Sequence, residues 1–400
     1  MTLLARSRDK AQEGLTAATR QVRSQTVANH ADVGSYEDLD ATLATADLVF
    51  EALTEDFALK KQMFDRVEKA RRPDSIVATV TSGLSINELA DGRSDSFRRH
   101  FLGLHLFNPP NVIVGTELIA GRDTDPGIVD FVEAFSRVRL GREIVRTHDA
   151  PAFAGNRVGF KVLNEVAQLA EQVGPVLADR LVGPYTGRAM TPLATIDLVG
   201  WDIHRAIVDN AYANTKDEAH ETLKLPDYMA KAMQRGVLGN KSGAGFFKRE
   251  GKTSLALDPK TGDYRPVAEL VLPKLDYIER VAALHAVGRY AEGLQAFLAA
   301  EGPEAELARR VIAGYVSYAF HRVGEVTDTI TGIDMIMATG FNWAPPSVLV
   351  DLMGARATVE MIEQALLPVP QALREAAKSG KPKPFFQHPQ LNVGKFFVAS

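Results

Sequence analysis

A histidine stands near the end of the short apolar run Gly103-Leu104-His105-Leu106-Phe107, and Asn108-Pro109-Pro110 follows at once. Twelve residues after His105, Glu117 opens the apolar stretch Leu118–Ala120. An imidazole with a carboxylate partner is the make-up of a general base and the group that orients it. On spacing alone the two also read as a buried core histidine and an unrelated surface glutamate. Paired prolines cannot extend a ladder or follow a helical residue, so the chain must turn after Phe107. His105 and Asn108 are thereby placed near the mouth of a strand, where open α/β sheets gather their ligands.

The elements that must hold this pair come from alternating patterns over residues 1–147. Leu3-Leu4-Ala5 reads as the tail of a strand, and Ser7 as the cap of a helix reaching about Val22. Asp47–Leu53 is a strand candidate. Thr54 is a plausible cap for the helix that follows, with Glu55 and Asp56 in its first turn and Phe57, Met63, Phe64 and Val67 on one face. Further strands are read at Ser75–Thr79, Phe101–Phe107, Glu117–Ala120 and Glu143–Arg146, with a helix near Ile128–Arg137. Strands alternating with helices predict a mostly parallel sheet covered on both faces.

The totals bound the function. Four hundred residues, 46% hydrophobic and 24% charged, predict an ordinary globular chain of two or three domains. A net charge of −4 gives no basic excess from which to argue nucleic-acid binding. The absence of cysteine excludes disulfides, thiolate nucleophiles and cysteine metal sites, and no metal site is expected. No uncharged apolar run approaches the ~20 residues of a membrane span. Arg6, Arg8 and Asp9 stand where a signal peptide would carry its apolar core, so no membrane association and a cytoplasmic location are expected.

At Asp149-Ala150-Pro151 the pattern changes to helix: Val158–Ala178, Trp201–Asn214 and Pro226–Gly236. Asn240–Phe247 is a glycine-rich turn, and residues 249–265 read as a linker. Helices resume at Tyr277–Leu298 and Glu304–Val323, and the tail after Pro368 reads as irregular. There is an internal echo. Thr186-Gly187, Pro192 and Asp197-Leu198-Val199-Gly200 recur as Thr339-Gly340, Pro345-Pro346 and Asp351-Leu352-Met353-Gly354, the aspartates 154 residues apart. The echo reads as a duplicated helical domain, or as coincidence between two Gly/Pro-punctuated loops.

Taken together, Ala46–Ala52, Thr81-Ser82, Gly103–Pro109, Asp149–Arg157, Lys241–Phe246 and the two Asp-Leu-apolar-Gly loops resemble the L-3-hydroxyacyl-CoA dehydrogenase family of fatty-acid β-oxidation. More particularly, they resemble its long bacterial form with two helical domains. The resemblance implies an α/β followed by all-α chain. Its parts would be an incomplete Rossmann-type domain over 1–148, a first helical domain over 149–250, a duplicated one over 265–370 and an irregular tail over 371–400. It implies oxidation of (S)-3-hydroxyacyl-CoA to the 3-oxo product with NAD, NADP being the less favoured cofactor. His105 would be the base, Glu117 its partner, Ser82 a contact to substrate and nicotinamide, and Asn156 a substrate-aligning residue. Glu55, Lys60, Ser82, Asn108 and Lys241 would contact the cofactor. An acyl-CoA partner is implied, with assembly as a homo-oligomer or in a β-oxidation complex through the helical domains. A 3-hydroxybutyryl-CoA dehydrogenase and a non-catalytic acyl-CoA-binding or assembly subunit are the other readings.

The sequence departs from the family at its start. It contains no G-x-G-x-x-G; its G-x-G is Gly243-Ala244-Gly245, with Lys248 in the third place. Leu3–Ser7 resembles the end of the family's second strand, with Ala5 or Arg6 near the place of the acid that meets the adenosine ribose. The first strand and its pyrophosphate-binding turn are therefore expected to be missing, making the chain a fragment or mis-started form with impaired dinucleotide binding. Pro345-Pro346, Ala152 and Gly155 are further departures, and they bear on packing more than on chemistry.

Overall fold

The computed structural model describes residues 1–385 and 391–397. The chain divides into two compact units, Met1–Asp149 and Ala150–Ser400.

The first unit is α/β. Its strands are β1 (Thr2–Ala5), β2 (Asp32–Ser35), β3 (Leu48–Glu51), β4 (Ile76–Thr79), β5 (Phe101–Leu106), β6 (Gly115–Ala120) and β7 (Glu143–Thr147). Its helices are α1 (Arg8–Val22), α2 (Thr26–Asn29), α3 (Leu39–Leu43), α4 (Phe57–Ala70), α5 (Ile86–Ala90), α6 (Asp95–Arg99) and α7 (Pro126–Leu140). β1 and β2 form a parallel pair, and the other strands form a second sheet in the order β3-β4-β5-β6-β7. All its pairs are parallel except β5 with β6. Every residue of β4 is buried, as expected of a strand covered on both faces. Ile76, Ala78, Leu102, Leu104, Leu118, Val129, Val132 and Ile144 form one core, and the rings of Phe64, Phe97 and Phe101 another. Ser7 caps α1 as expected, its side chain accepting from Lys10 N. Thr54 does not cap α4. Asp56 does, accepting from Leu59 N at 2.8 Å, so Glu55 lies before the helix rather than in its first turn.

The second unit is helical: α8 (Gly155–Val173), α9 (Pro175–Leu181), α10 (Pro192–Val199), α11 (Trp201–Asn214), α12 (Asp227–Gln234), α13 (Asp276–Ala286), α14 (Tyr290–Leu298), α15 (Pro303–His321), α16 (Ile330–Thr339), α17 (Pro346–Met353), α18 (Ala355–Gln364) and α19 (Gln371–Ser379). Two long helices read from the pattern are each broken by a left-handed glycine. Gly174 (φ 81°) and the following proline divide α8 from α9, and Gly288 (φ 78°) divides α13 from α14. Residues 249–265 are not a linker. They lie within an antiparallel sheet of β8 (Phe247–Glu250), β9 (Thr253–Leu257) and β10 (Tyr264–Pro266), and Gly251 and Gly262 are turn residues with positive φ. The tail expected to be irregular over 371–400 contains α19; residues 386–390 and 398–400 lie outside the described residues.

α8 packs on α10, α11 and α15, and a charged cluster joins α8 to α15. Buried Arg157 donates to the Tyr318 hydroxyl (2.5 Å) and Asp217 (2.6 Å), and Arg322 reaches Asp217 at 2.8 Å. Two further buried acids fasten helix starts. Asp179 accepts from Leu193 N and the Thr191 hydroxyl at the head of α10, and Asp334 accepts from Ser347 N and its hydroxyl at the head of α17. Burial pushes both carboxyls up to about 7, against the hydrogen bonds they accept.

An acid whose pKa is higher folded than unfolded binds its proton more tightly when folded. Its contribution to stability is whole below about pH 4 and is lost as pH rises through about 7. The double variant Asp179→Asn, Asp334→Asn should therefore show a flatter melting-temperature profile between pH 4 and 7 than the parent. Parallel thermal melts across that range check it, and equal slopes would remove the two acids as the cause.

Candidate functional site

The site of the first unit is built on the carboxyl ends of β3, β4 and β5. Glu51 pairs in register with Thr79, and Thr79 with Gly103, so three neighbouring strands end at one level with His105 two residues further along β5. β6 returns antiparallel, and its register sets His105 directly opposite Glu117. Directly opposed residues project from the same face of a sheet. The imidazole Nδ1 lies 2.6 Å from Glu117 Oε2, with His105 3% exposed and Glu117 fully buried. A carboxylate accepting at Nδ1 fixes the proton there and leaves Nε2 as the basic nitrogen. The Phe107 ring packs on the imidazole at 4.6 Å between centroids.

The approach of β5 to its neighbours depends on Gly103. A Cβ there would lie 2.8 Å from Ile86 Cδ1 and 3.1 Å from Ile119 Cδ1. The strand that carries His105 is therefore seated against buried side chains of α5 and β6.

Ser82 lies in the turn between β4 and α5, and this turn is held at both ends. Glu55 Oε1 accepts from the Thr81 hydroxyl (2.6 Å) and Ser82 N (2.7 Å). Asp149 accepts from the Ser85 hydroxyl, Ile86 N and Asn87 N at 2.8–2.9 Å. Asn108 is exposed just beyond β5. Lys60 is not at the surface. It is fully buried on α4, with its ammonium on both oxygens of Glu51 (2.9 and 3.0 Å) and on the Leu53 carbonyl. From there it supports the loop that carries Glu55.

Asn156 and Lys241 belong to the second unit. Asn156 is buried in the first turn of α8. The helix begins one residue earlier, at Gly155, after Ala152 (φ 61°) and Phe153 (φ 53°), both buried in left-handed backbone. Such backbone is costly for residues other than glycine and clusters at functional sites. Lys241 donates to Asp202. Although burial alone would raise it, the Asp202 carboxyl is lowered by this partner. Of the glycines after Lys241, Gly243 answers to its positive φ of 76° and Gly245 to packing. A Cβ on Gly245 would stand 2.0 Å from Asp197 Oδ1, and Asp197 itself accepts from Phe246 N, Phe247 N and the Trp201 indole.

Sequence reasoning brought out His105, Glu117, Ser82 and Glu55 but missed Glu51, Thr81 and Asp149 as supports. The available signal for Glu51 was a carboxylate closing an otherwise apolar strand, where only a paired acid can be buried. The half-exposed Glu55, the Ser82 turn and Asn108 place mixed donors and acceptors near the carboxyl ends of these strands. The turn after β1 offers the exposed Arg6 and Arg8 at the start of α1.

Residues 2–150 match the family model described as 3-hydroxyacyl-CoA dehydrogenase, NAD binding domain, and residues 153–249 match 3-hydroxyacyl-CoA dehydrogenase, C-terminal domain. A Bacillus subtilis protein named "Probable 3-hydroxyacyl-CoA dehydrogenase" is 33% identical over 353 residues, 87% of this chain and 44% of that protein. The chain thus spans less than half the length of that relative. The 3-hydroxybutyryl-CoA dehydrogenase of Bradyrhizobium diazoefficiens is 30% identical over 239 residues, 58% of this chain and 80% of that protein. The crystal structure of 3-hydroxybutyryl-CoA dehydrogenase from Escherichia coli K12 superposes with a TM-score of 0.68 over 94% of this chain and 93% of that one; at 21% identity this carries the fold alone. The chain belongs to the 3-hydroxyacyl-CoA dehydrogenase family.

The seating of β5 gives a direct check. Gly103→Ala should destabilise the protein by about 1–3 kcal/mol, the usual cost of overpacking. Urea unfolding measures it, and an unchanged midpoint would mean that Ile86 and Ile119 yield without cost.

Proposed function

We propose that this chain oxidises the 3-hydroxyl of an (S)-3-hydroxyacyl-CoA to the 3-oxo thioester with a nicotinamide cofactor, NAD in preference to NADP. The observation that carries the reading is the buried Nδ1–Oε2 contact of 2.6 Å between His105 and Glu117. With Nδ1 committed to Glu117, His105 Nε2 takes the hydroxyl proton, and the carboxylate stabilises the imidazolium that results. The nicotinamide, when bound, supplies the hydride acceptor. Ser82 and Asn156 orient the substrate, while Glu55, Ser82, Asn108 and Lys241 hold the cofactor. Lys60 acts through Glu55 and the loop before it.

The domains proposed are 1–148, 149–250 and 265–370. Duplication of the helical part is supported by paired features. α8 and α15 are both 19 residues long; α10 and α17 are both eight, begin with proline, are fastened by a buried aspartate and end at a left-handed glycine, Gly200 or Gly354. Arg356 stands where the first copy has Asp202, so the Lys241–Asp202 pair has no counterpart at that position and the second copy takes a structural role. Assembly through these helices, as a homo-oligomer or within a β-oxidation complex, belongs to the same reading. A cytoplasmic location accords with this function; among the described residues no helix is long and apolar enough to cross a membrane.

The test is acetoacetyl-CoA reduction with NADH, beside a fluorescence titration of NADH binding. His105→Ala should lower turnover by about 10²–10⁴-fold, the usual weight of a general acid–base group. Glu117→Gln should lower turnover strongly with little change in the apparent affinity for substrate. A folded chain that binds acyl-CoA but neither binds NADH nor turns over would favour the non-catalytic binding subunit instead.

A further inference from the structure

Lys60 and Glu51 form an ion pair with almost no access to water; their side chains are 1% and 3% exposed. Such a pair is weak as a source of stability, because removing both charges from water offsets most of their attraction, and apolar replacements of similar size often serve as well. What it does here is local. Glu51, at the end of β3, accepts from Lys60, from the Thr79 hydroxyl at the end of β4 (2.6 Å) and from Leu53 N (2.5 Å). Lys60 returns a hydrogen bond to the Leu53 carbonyl at 3.2 Å. Both backbone groups of Leu53 are thus tied to one ion pair. Two residues later Glu55 leaves the loop with one carboxylate oxygen 3.7 Å from the Lys60 ammonium and the other on Thr81 and Ser82. The Thr81 hydroxyl in turn accepts from Leu84 N at 3.1 Å.

We propose that the Glu51–Lys60 pair is a positioning element that fixes Glu55, and through it the Ser82 turn, in the geometry that receives the nicotinamide end of the cofactor. This rests on the dehydrogenase reading for its functional consequence, though not for its structural one. The two residues act through Glu55 and are not themselves catalytic. The Asp149 clamp on Ser85, Ile86 and Asn87 is independent of the pair and supplies an internal control.

Removing one partner would strand a buried charge, so the informative variant removes both charges together, Glu51→Gln with Lys60→Met. Amide hydrogen exchange on the full chain is followed by mass spectrometry in segments 81–84 and 86–90. The expected result is exchange at least tenfold faster in 81–84 with 86–90 unchanged, and an unchanged 81–84 segment overturns the proposal. Glu55→Ala leaves the pair intact and cuts the link beyond it; it must accelerate 81–84 in the same way, and its failure to do so also overturns the proposal, whether or not the double variant folds. NADH titration forms a second arm. The double variant should bind NADH at least tenfold more weakly than the parent. Equal NADH affinity in parent and double variant overturns the proposal. A parent chain that binds no NADH, beside the expected exchange result, defeats the dehydrogenase reading and leaves the structural link standing.

Discussion

The candidate chemistry depends on one cross-strand contact. A histidine and a glutamate twelve residues apart in the sequence meet because β5 and β6 run antiparallel within an otherwise parallel sheet. A parallel partner for β5 would require a crossover of a dozen or more residues, and Glu117 could not then come from the segment that follows directly. The reversal lets the base and its orienting acid share a register, a face and a buried environment. Burial matters as much as proximity, since a hydrogen bond to a charged carboxylate is stronger where water is excluded.

Around this contact the first unit spends buried charge with economy. Glu51 and Lys60 neutralise one another, Glu117 is held by His105, and the half-buried Asp149 places its two oxygens on the α5 head. Glu51 and Asp149 also hold backbone N–H groups that follow β3 and β4. The second unit repeats the device with Asp179, Asp197 and Asp334, each a buried carboxylate that collects backbone N–H groups at a helix start or turn. These acids thus sit where irregular backbone must be held in place, which is where a buried N–H without an acceptor would cost most.

Much of this was legible in the sequence, and the failures have physical causes. The alternating strands and helices of the first unit, the change to helix after Asp149, the strand bearing His105, the cap at Ser7 and the helix Trp201–Asn214 follow from period and turn chemistry. The pairing of His105 with Glu117 did not, because spacing cannot distinguish a register; the family resemblance supplied it. Residues 249–265 looked like a linker because a tight hairpin and a flexible segment draw on the same glycines and prolines. The burial of Lys60 was not legible, since helical period alone does not reveal that a carboxylate waits in the core. Glu55 looked like a first-turn acid until Asp56 was seen to hold the cap, which left Glu55 available for the Ser82 turn.

The connection between β5 and β6 has a different kind of freedom. It spans residues 107–114, with Asn108 and Val112 exposed, and it lies outside the ladder that aligns the dyad. A single-residue insertion within either strand would turn His105 or Glu117 to the opposite face. The same insertion in the loop leaves their alignment intact, because loops absorb length changes that strands do not. Lineages of this fold can therefore lengthen or recompose the rim beside the imidazole while the proton-handling pair stays in step, so diversification of what enters the site is decoupled from inheritance of what happens there.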